Sequence, residues 1–495
     1  MDMNDLDIRS LFPPPAEEDW RAAAEKLLKG KPFRETLFSQ TDEGLTLSPI
    51  YWPGGEPLRV MPGRGKRHWE LAQTLYAGND TFNRRAREAL QNGQTALKPD
   101  LDVSSQWGSA PPHIPGRMGS IHLTEAAALD ELLANIDPAK TPLYFDALNR
   151  PAEIAGVIKV FLEKRGCKNA GGGLGADPLS GALRYGGFPA DWPMQAEGMQ
   201  KAAEILRDFP EFDLVTIHAD IIHNSGGHKV RQLAYFLSVA ANYFRLLSRD
   251  AATDPPPGGW RLRLAVGNDQ FAEIAKLRAA RLLWRQLLRG FDLDEGTYPL
   301  SIDAVTSWRY MSFFDPWVNM IRATGQAFSA IVGGCDTLDI LPFDLALGQP
   351  DAFSLRQARN ISVILGEESY LGKVREPASG SAYLDSLTRE MAGEAWRLFQ
   401  HMEEQGGILS LIREGRWQKD IREEAAREER EYEEGRRKAI GSNVFPNPAE
   451  KRPTKAGPGV RVNILPGPAA EAVEPLPEKR VLADFEKRRL REETE

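Results

Sequence analysis

Phe271-Ala-Glu-Ile-Ala-Lys-Leu-Arg-Ala-Ala-Arg-Leu-Leu-Trp284 is the stretch from which the architecture unfolds. Phe271, Ile274, Leu277, Ala280/Arg281 and Trp284 recur at helical spacing, and Lys276 and Arg278 fall on another face. The run therefore predicts an amphipathic helix, within a longer helical pattern over Gln270–Gly290. It is flanked by two short apolar runs, Leu262–Val266 and Leu300–Val305, each of strand length. Strand, helix and strand in that order form one repeat of an α/β chain.

The same alternation continues in both directions. Candidate strands lie at Thr95–Leu101, Gly119–Leu123, Pro142–Asp146, Gly171–Gly175, Leu214–Ala219 and Leu338–Phe343. Amphipathic stretches at Thr124–Ile136, Pro151–Arg165, Ala196–Phe209, His228–Arg249 and Asp315–Gly333 separate them. With the two flanking runs the strands number eight, the count of a closed (β/α)8 TIM barrel; an open doubly wound sheet would give the same local pattern. Three regions follow. Residues 1–90 read as an N-terminal arm with an extended Phe12-Pro-Pro-Pro15, a helix at Glu17–Leu28 and a hairpin from Glu35–Leu37 and Glu43–Tyr51. Residues 91–412 are the barrel. Residues 413–495 are a charged helix over Arg413–Lys438, read as solvated, then a Pro/Gly-rich linker and a charged tail, with Pro453–Pro475 extended or poorly ordered.

The 495 residues carry a net charge of −8, which argues against a general nucleic-acid binder. There is no apolar run of about 18 residues to span a membrane. The N-terminus lacks the apolar core of a secretory signal. Cys167 and Cys335 are the only cysteines, too few for a disulfide framework. Together these features predict a cytoplasmic protein.

The wording of the Phe271–Trp284 helix resembles the methylmalonyl-CoA mutase family of adenosylcobalamin-dependent isomerases. Trp308-Arg-Tyr-Met311, Asp315-Pro-Trp-Val-Asn-Met-Ile-Arg322, Leu341-Pro-Phe-Asp344 and Pro377-Ala-Ser-Gly-Ser-Ala-Tyr383 extend that resemblance. Gly175-Ala-Asp-Pro178, Asp315-Pro-Trp-Val-Asn319 and Leu341-Pro-Phe-Asp344 are more similar to the family's small (β) subunit than to its catalytic large subunit. The resemblance implies a heterodimer in which a catalytic large subunit holds the adenosylcobalamin and the acyl-CoA. This chain would bind no cofactor and no metal, and its N-terminal arm would wrap the partner.

Set against the family's chemical requirements, this chain is depleted. No histidine is preceded by Asp two residues earlier, so the Asp-x-His-x-x-Gly motif of a cobalamin domain is missing, and Leu482-Ala-Asp-Phe-Glu486 resembles only the linker to one. Where the resemblance places a Tyr-His proton donor, the sequence has Asp220-Ile221, and Ile has no proton to give. Asp303-Ala-Val-Thr-Ser-Trp308 keeps Thr306 and Ser307 but loses the family's His and Gln. Leu183–Pro193 has no counterpart of the carboxylate-binding Arg, and Asp339 and Leu341 replace a His and an Asn. The expected reading is a subunit that interconverts (R)-methylmalonyl-CoA and succinyl-CoA only as part of a complex, with no catalytic residue of its own. The alternative is an active barrel that borrows a cobalamin domain from another chain, with His218, Asp220, His223 and Asp303 as fallback acids and bases. A scaffold unrelated to turnover is the third reading.

Other signals remain open at this level. His218, His223 and His228 are spaced by five, which suggests a metal site only weakly because five residues do not share a helical face. Gly171-Gly-Gly-Leu-Gly175 could cradle an anion or simply turn at the barrel rim. Asp146, Asp220 and Asp303 read as strand-end carboxylates, able to serve as acid or base or to cap helices.

Overall fold

The computed structural model describes residues 16–52, 57–60, 68–108, 120–248, 259–447, 449–450 and 469–492. Phe12–Pro15 and most of Pro453–Pro475 lie outside them. Eight parallel strands form the centre: β1 (Glu70–Leu71, continued by Thr74–Leu75), β2 (Lys98–Pro99), β3 (Leu143–Tyr144), β4 (Gly172–Ala176), β5 (Phe212–His218), β6 (Trp260–Val266), β7 (Leu300–Thr306) and β8 (Thr337–Asp339). Pairing runs β3–β4–β5–β6–β7–β8–β1. The ring closes through β2: Thr74 pairs with Lys98, and Leu97 bridges Leu143. This is a mixed α/β, TIM-like barrel, as the alternation predicts.

One strand is not where the sequence put it. Glu70–Leu75, inside the stretch read as an arm, supplies β1, so the barrel starts before residue 91. Gly119–Leu123 gives no barrel strand; within its described part, Ile121 makes a single bridge to Leu101. Glu70–Leu75 was missed because Glu, Gln and Thr interrupt its apolar pattern, and those polar groups turn out to face other polar groups inside the ring.

Each strand feeds a helix: α1 (Asn79–Gln91), α2 (Ala126–Leu132), α3 (Pro151–Lys164), α4 (Trp192–Leu206), α5 (Lys229–Leu247), α6 (Gln270–Gly290), α7 (Val318–Val332) and α8 (Ala352–Glu367). Local chemistry fixes their starts. Pro151 opens α3, where no N–H is needed, and the Asp191 carboxylate accepts the Met194 N–H ahead of α4. Asp351 and Ser354 form a reciprocal capping box on α8.

The apolar core lies between strands and helices. Trp260 on β6, Phe244 on α5 and Trp284 on α6 pack with ring centroids 4.4–5.6 Å apart, and Trp284 donates to the Tyr298 carbonyl at 2.9 Å. Lys276 and Arg278 of α6 are buried, because α9 (Ala382–Glu404) crosses outside that helix. Arg278 meets Asp385 at 2.8 Å. Phe271, read as part of the apolar stripe, is half exposed.

In the arm, the Glu17–Leu28 helix forms as expected. The hairpin instead pairs Ser39–Gln40 with Thr46–Leu47, and residues 35–37 belong to a short helix, Phe33–Leu37. The charged stretch forms α10 (Arg416–Glu433), which is not simply solvated: Trp417, Ile421, Glu424, Glu428 and Tyr432 are buried against the barrel. Downstream, Glu471–Ala472 pairs with Gly187–Phe188, and α11 (Ala483–Glu492) follows. No helix of the described residues is long and apolar enough to cross a membrane.

Candidate functional site: a charge-filled barrel lumen and a covered mouth

In Trp260-Arg-Leu-Arg-Leu-Ala-Val266, arginine alternates with leucine, so Arg261 and Arg263 share one face of a fully buried strand. Parallel register puts Arg263 beside His218 of β5 and Asp303 of β7. Asp303 is beside Thr337 of β8, and Thr337 beside Glu70 of β1. These side chains converge on the lumen, which barrels commonly fill with branched apolar residues.

Here the filling is ionic. Arg263 Nη1 donates to Asp303 Oδ2 (2.7 Å), Nη2 to Asp339 Oδ2 (2.9 Å) and Nε to Asp220 Oδ2 (3.4 Å). Lys98 donates to Asp303 Oδ2 at 3.3 Å and lies 3.6 Å from Asp146. Thr337 donates to Asp303 Oδ1 at 2.8 Å and Thr74 to Asp339 Oδ2 at 2.6 Å. One layer below, Arg261 stacks 4.0 Å over the Tyr144 ring and lies 3.6 Å from Asp213. Buried charges persist only when paired and hydrogen-bonded, and this lattice meets that requirement from within the chain.

At the C-terminal end of β5, His218 sits between two carboxylates. Its Nε2 is 3.0 Å from Asp146 Oδ1 and its Nδ1 is 3.3 Å from Asp177 Oδ2. Burial alone would depress its pKa, but Asp146 and Asp177 outweigh that and raise it to about 10, so the imidazolium persists at neutral pH. Asp177 in turn accepts from the His218 and Ser180 backbone N–H groups and from Tyr243 Oη at 2.7 Å. His218 is thereby fixed as a cation.

His223 behaves oppositely. Burial, reinforced by Lys276, Arg309 and Lys229, holds its pKa well below the ordinary value. Its Nε2 lies 2.7 Å from Ser307 Oγ, a nucleophile–base distance. Both residues are buried, and the adjoining cavity of about 20 Å³ has room for a single water. Among the described residues no carboxylate hydrogen-bonds its other nitrogen.

Of the four fallback residues, the structure brings His218, Asp220 and Asp303 into one network through Arg263, Lys98 and Asp146, and leaves His223 outside it. Asp303 is in mid-strand rather than at a strand end. Ile221 is fully buried in the short helix Asp220–Asn224. Thr306 Oγ1 accepts the Leu341 N–H at 2.8 Å. In place of an anion cradle or a rim turn, Gly172–Gly175 lies within the buried, bulged strand β4, with Gly171 just before it. A Cβ at Gly172 or Gly175 would lie 2.0 Å from the carbonyl oxygen of Leu143 or Phe145, so glycine permits strand contact there. Of the three spaced histidines, His223 and His228 line one small cavity while His218 is held apart between Asp146 and Asp177, and the described residues contain no metal-competent cluster of His, Cys, Asp and Glu.

The described imidazoles are spread over the fold. His218 and His223 are enclosed, His122 contacts Asp102, His228 lies 3.9 Å from Glu424, and His401 is bonded to Gln405. His68 precedes β1, at the opposite end of the barrel from the mouth. Sequence reasoning missed Lys98, Asp177, Arg261 and Arg263, although the Arg-Leu-Arg-Leu alternation signals inward charge.

The mouth is also covered. Arg309, after β7, donates to Glu428 of α10 at 2.7 Å, and Arg231 binds Glu424. The tail crosses the same face: Leu476 N donates to Leu183 O, Lys479 N to Asn224 O, and Val481 N to Arg309 O, at 2.7–2.9 Å. Glu486 accepts the Phe313 N–H at 2.7 Å.

Fold and site together define a (β/α) barrel protein whose lumen is filled by its own paired charges. Residues 59–459 match the family model described as methylmalonyl-CoA mutase. The chain belongs to the methylmalonyl-CoA mutase family. It is 32% identical over 435 residues to the methylmalonyl-CoA mutase small subunit of Propionibacterium freudenreichii subsp. shermanii, covering 82% of this chain and 65% of that protein. The small subunits of Porphyromonas gingivalis (28% identical; 97% of this chain, 77% of the relative) and Streptomyces virginiae (31%; 92% and 74%) are also similar. The chain thus spans about two thirds to three quarters of the length of these relatives.

Proposed function

We propose that this chain is the small, non-catalytic subunit of a heterodimeric methylmalonyl-CoA mutase, which interconverts (R)-methylmalonyl-CoA and succinyl-CoA. In this reading the large subunit carries adenosylcobalamin and the acyl-CoA, and the small subunit supplies a rigid structural half. The observation that carries the reading is the lumen. Its titratable groups are engaged with one another: His218 is clamped by Asp146 and Asp177, and Arg263 is shared by Asp220, Asp303 and Asp339. A general acid must reach the substrate and exchange its proton, and neither enclosed histidine is placed to do so. The names of the relatives support the heteromeric part, and two unpaired cysteines fit a reducing cytoplasmic setting.

The test is co-expression with the large mutase chain of the same source, with succinyl-CoA formation assayed in the presence of added adenosylcobalamin. Activity that requires the large chain and survives joint replacement of His218 and His223 is the expected result. Activity from this chain with an isolated cobalamin domain, abolished by those replacements, would overturn it in favour of the active-barrel alternative.

A further inference from the structure

Beside the ends of β6 and β7 runs an open groove of about 420 Å³, bounded by α7 on one side and by the segments around Ile440 and Leu482 on the other. Its lining exposes more apolar than polar surface (Val318, Ile321, Ile440, Leu482), alongside three amides, two tyrosines and two cations, Arg322 and Lys438, with no Asp or Glu. The lining itself is thus cationic in a chain with 70 acidic and 62 basic residues, although Asp315 and Glu486 act on Arg322 from outside it. Arg322 is engaged internally, donating to Ser312 Oγ, Asn319 Oδ1 and the Ile440 carbonyl. Lys438 is exposed and has no ion pair among the described residues, which leaves its charge available at the rim.

Apolar side chains around this groove stay in water. Ile321 is 74% exposed and Phe445 79%, with Trp317 and Ile440 about half exposed. Chain position and a few contacts keep them close together. Trp317 and Ile321 are one turn apart at the start of α7, the Arg322–Ile440 bond ties the next segment to it, and Gly441 packs against Asp315. Phe445 is also held at φ 50°, a left-handed conformation that bulky residues seldom adopt. The turn is pinned by Gly441 N to Val444 O (2.9 Å) and Ala439 N to Asn443 Oδ1 (2.7 Å). Scattered surface apolar residues are ordinary, but a contiguous face with a polar rim marks a protein contact.

We infer that this face docks a polypeptide segment of the partner subunit that presents apolar side chains flanked by carboxylates. The inference rests on the heteromeric reading above. A small ligand fits poorly, because a groove wall as open as Ile321 would leave much of it in solvent. A second copy of this chain fits poorly as well, since a twofold contact would repeat the same two cations on both surfaces.

The test measures binding of the full-length chain to the purified large mutase chain by calorimetry, at low and high salt, for wild type, Ile321→Glu, Lys438→Glu and the control Val160→Glu. Val160 is 55% exposed on α3. Ile321→Glu is expected to weaken binding at least tenfold and Lys438→Glu severalfold, with a flatter salt dependence, while Val160→Glu binds as wild type. Circular dichroism checks that each variant is folded. If the wild type binds and Ile321→Glu binds equally, the docking face is refuted and the heteromeric reading stands. If the wild type binds no large chain at all, the heteromeric reading itself fails. Self-association of the wild type, abolished by Ile321→Glu, would overturn the assignment by making the occupant a second copy.

Discussion

Replacing Arg263 with methionine removes the one guanidinium that three lumen carboxylates share, at 2.7, 2.9 and 3.4 Å, and keeps most of the side-chain volume. Asp303 would retain Lys98 at 3.3 Å and the Thr337 hydroxyl, and Asp339 would retain the Thr74 hydroxyl. Charges about 4 Å apart attract by about 4 kcal/mol at an effective dielectric near 20. Breaking a buried pair from one side typically costs about 3–5 kcal/mol. We therefore expect Arg263→Met to lose about 3–5 kcal/mol at pH 8 in urea unfolding followed by tryptophan fluorescence. The sign of its pH dependence follows. Without the guanidinium, burial disfavours the ionised form of the stranded carboxylates. Their penalty is small near pH 4–5, where they accept protons, and grows with pH until they are forced to ionise. The deficit should thus shrink by at least about 1 kcal/mol between pH 8 and pH 5.5. A loss under about 1 kcal/mol at pH 8, or an equal loss at both values, would refute the claim that Arg263 holds the lumen carboxylates through its charge. Adding Asp339→Asn to Arg263→Met should recover part of the loss.

Three further outcomes follow from the same geometry. His218 has a folded pKa raised to about 10, so its contribution is full below its ordinary value near 6.5 and is lost as pH rises through 10; the gap in urea midpoint between wild type and His218→Gln should narrow from pH 6 to pH 10, and a constant gap would count against the clamp. Gly175→Ala sets a Cβ 2.0 Å from the Phe145 carbonyl oxygen at φ 73°, and should cost roughly 2–4 kcal/mol or prevent soluble expression; an unchanged melting temperature would contradict the close strand contact. Glu428→Gln weakens the hold on buried Arg309 and should speed hydrogen exchange at the Val481 and Phe313 amides while leaving the β5 amides slow; uniform protection would mean that the tail is held by other contacts.

The ring of strands was legible because helical and strand periods alternate with few interruptions between residues 140 and 345. It was illegible at β1, where Glu70, Gln73 and Thr74 break the apolar pattern that usually identifies a buried strand. The lumen was half legible. Asp220, Asp303 and His218 stand out individually as polar residues at or near strand ends, but their partners come from strands far away in sequence: Lys98, Asp177 and Arg263. Pairing across a barrel depends on register and closure, which one-dimensional patterns do not carry. The cover over the mouth was hidden for a related reason. The mixed charges of Arg416–Glu433 resemble a solvent face, and only the positions of Arg231 and Arg309 turn Glu424 and Glu428 into anchors.

The tail that crosses the mouth also sets an order of events during synthesis. Leu476, Lys479 and Val481 bond to residues made some 170–290 positions earlier, on loops that follow β4, β5 and β7. All eight strands leave the ribosome before these bonds can form. At elongation rates of about 5–20 residues per second, the barrel waits roughly 7–30 seconds before the tail can bond to Arg309 and Asn224. Premature termination before residue 476 would therefore release a barrel whose mouth keeps the α10 cover but lacks the tail over Leu183, Asn224 and Arg309.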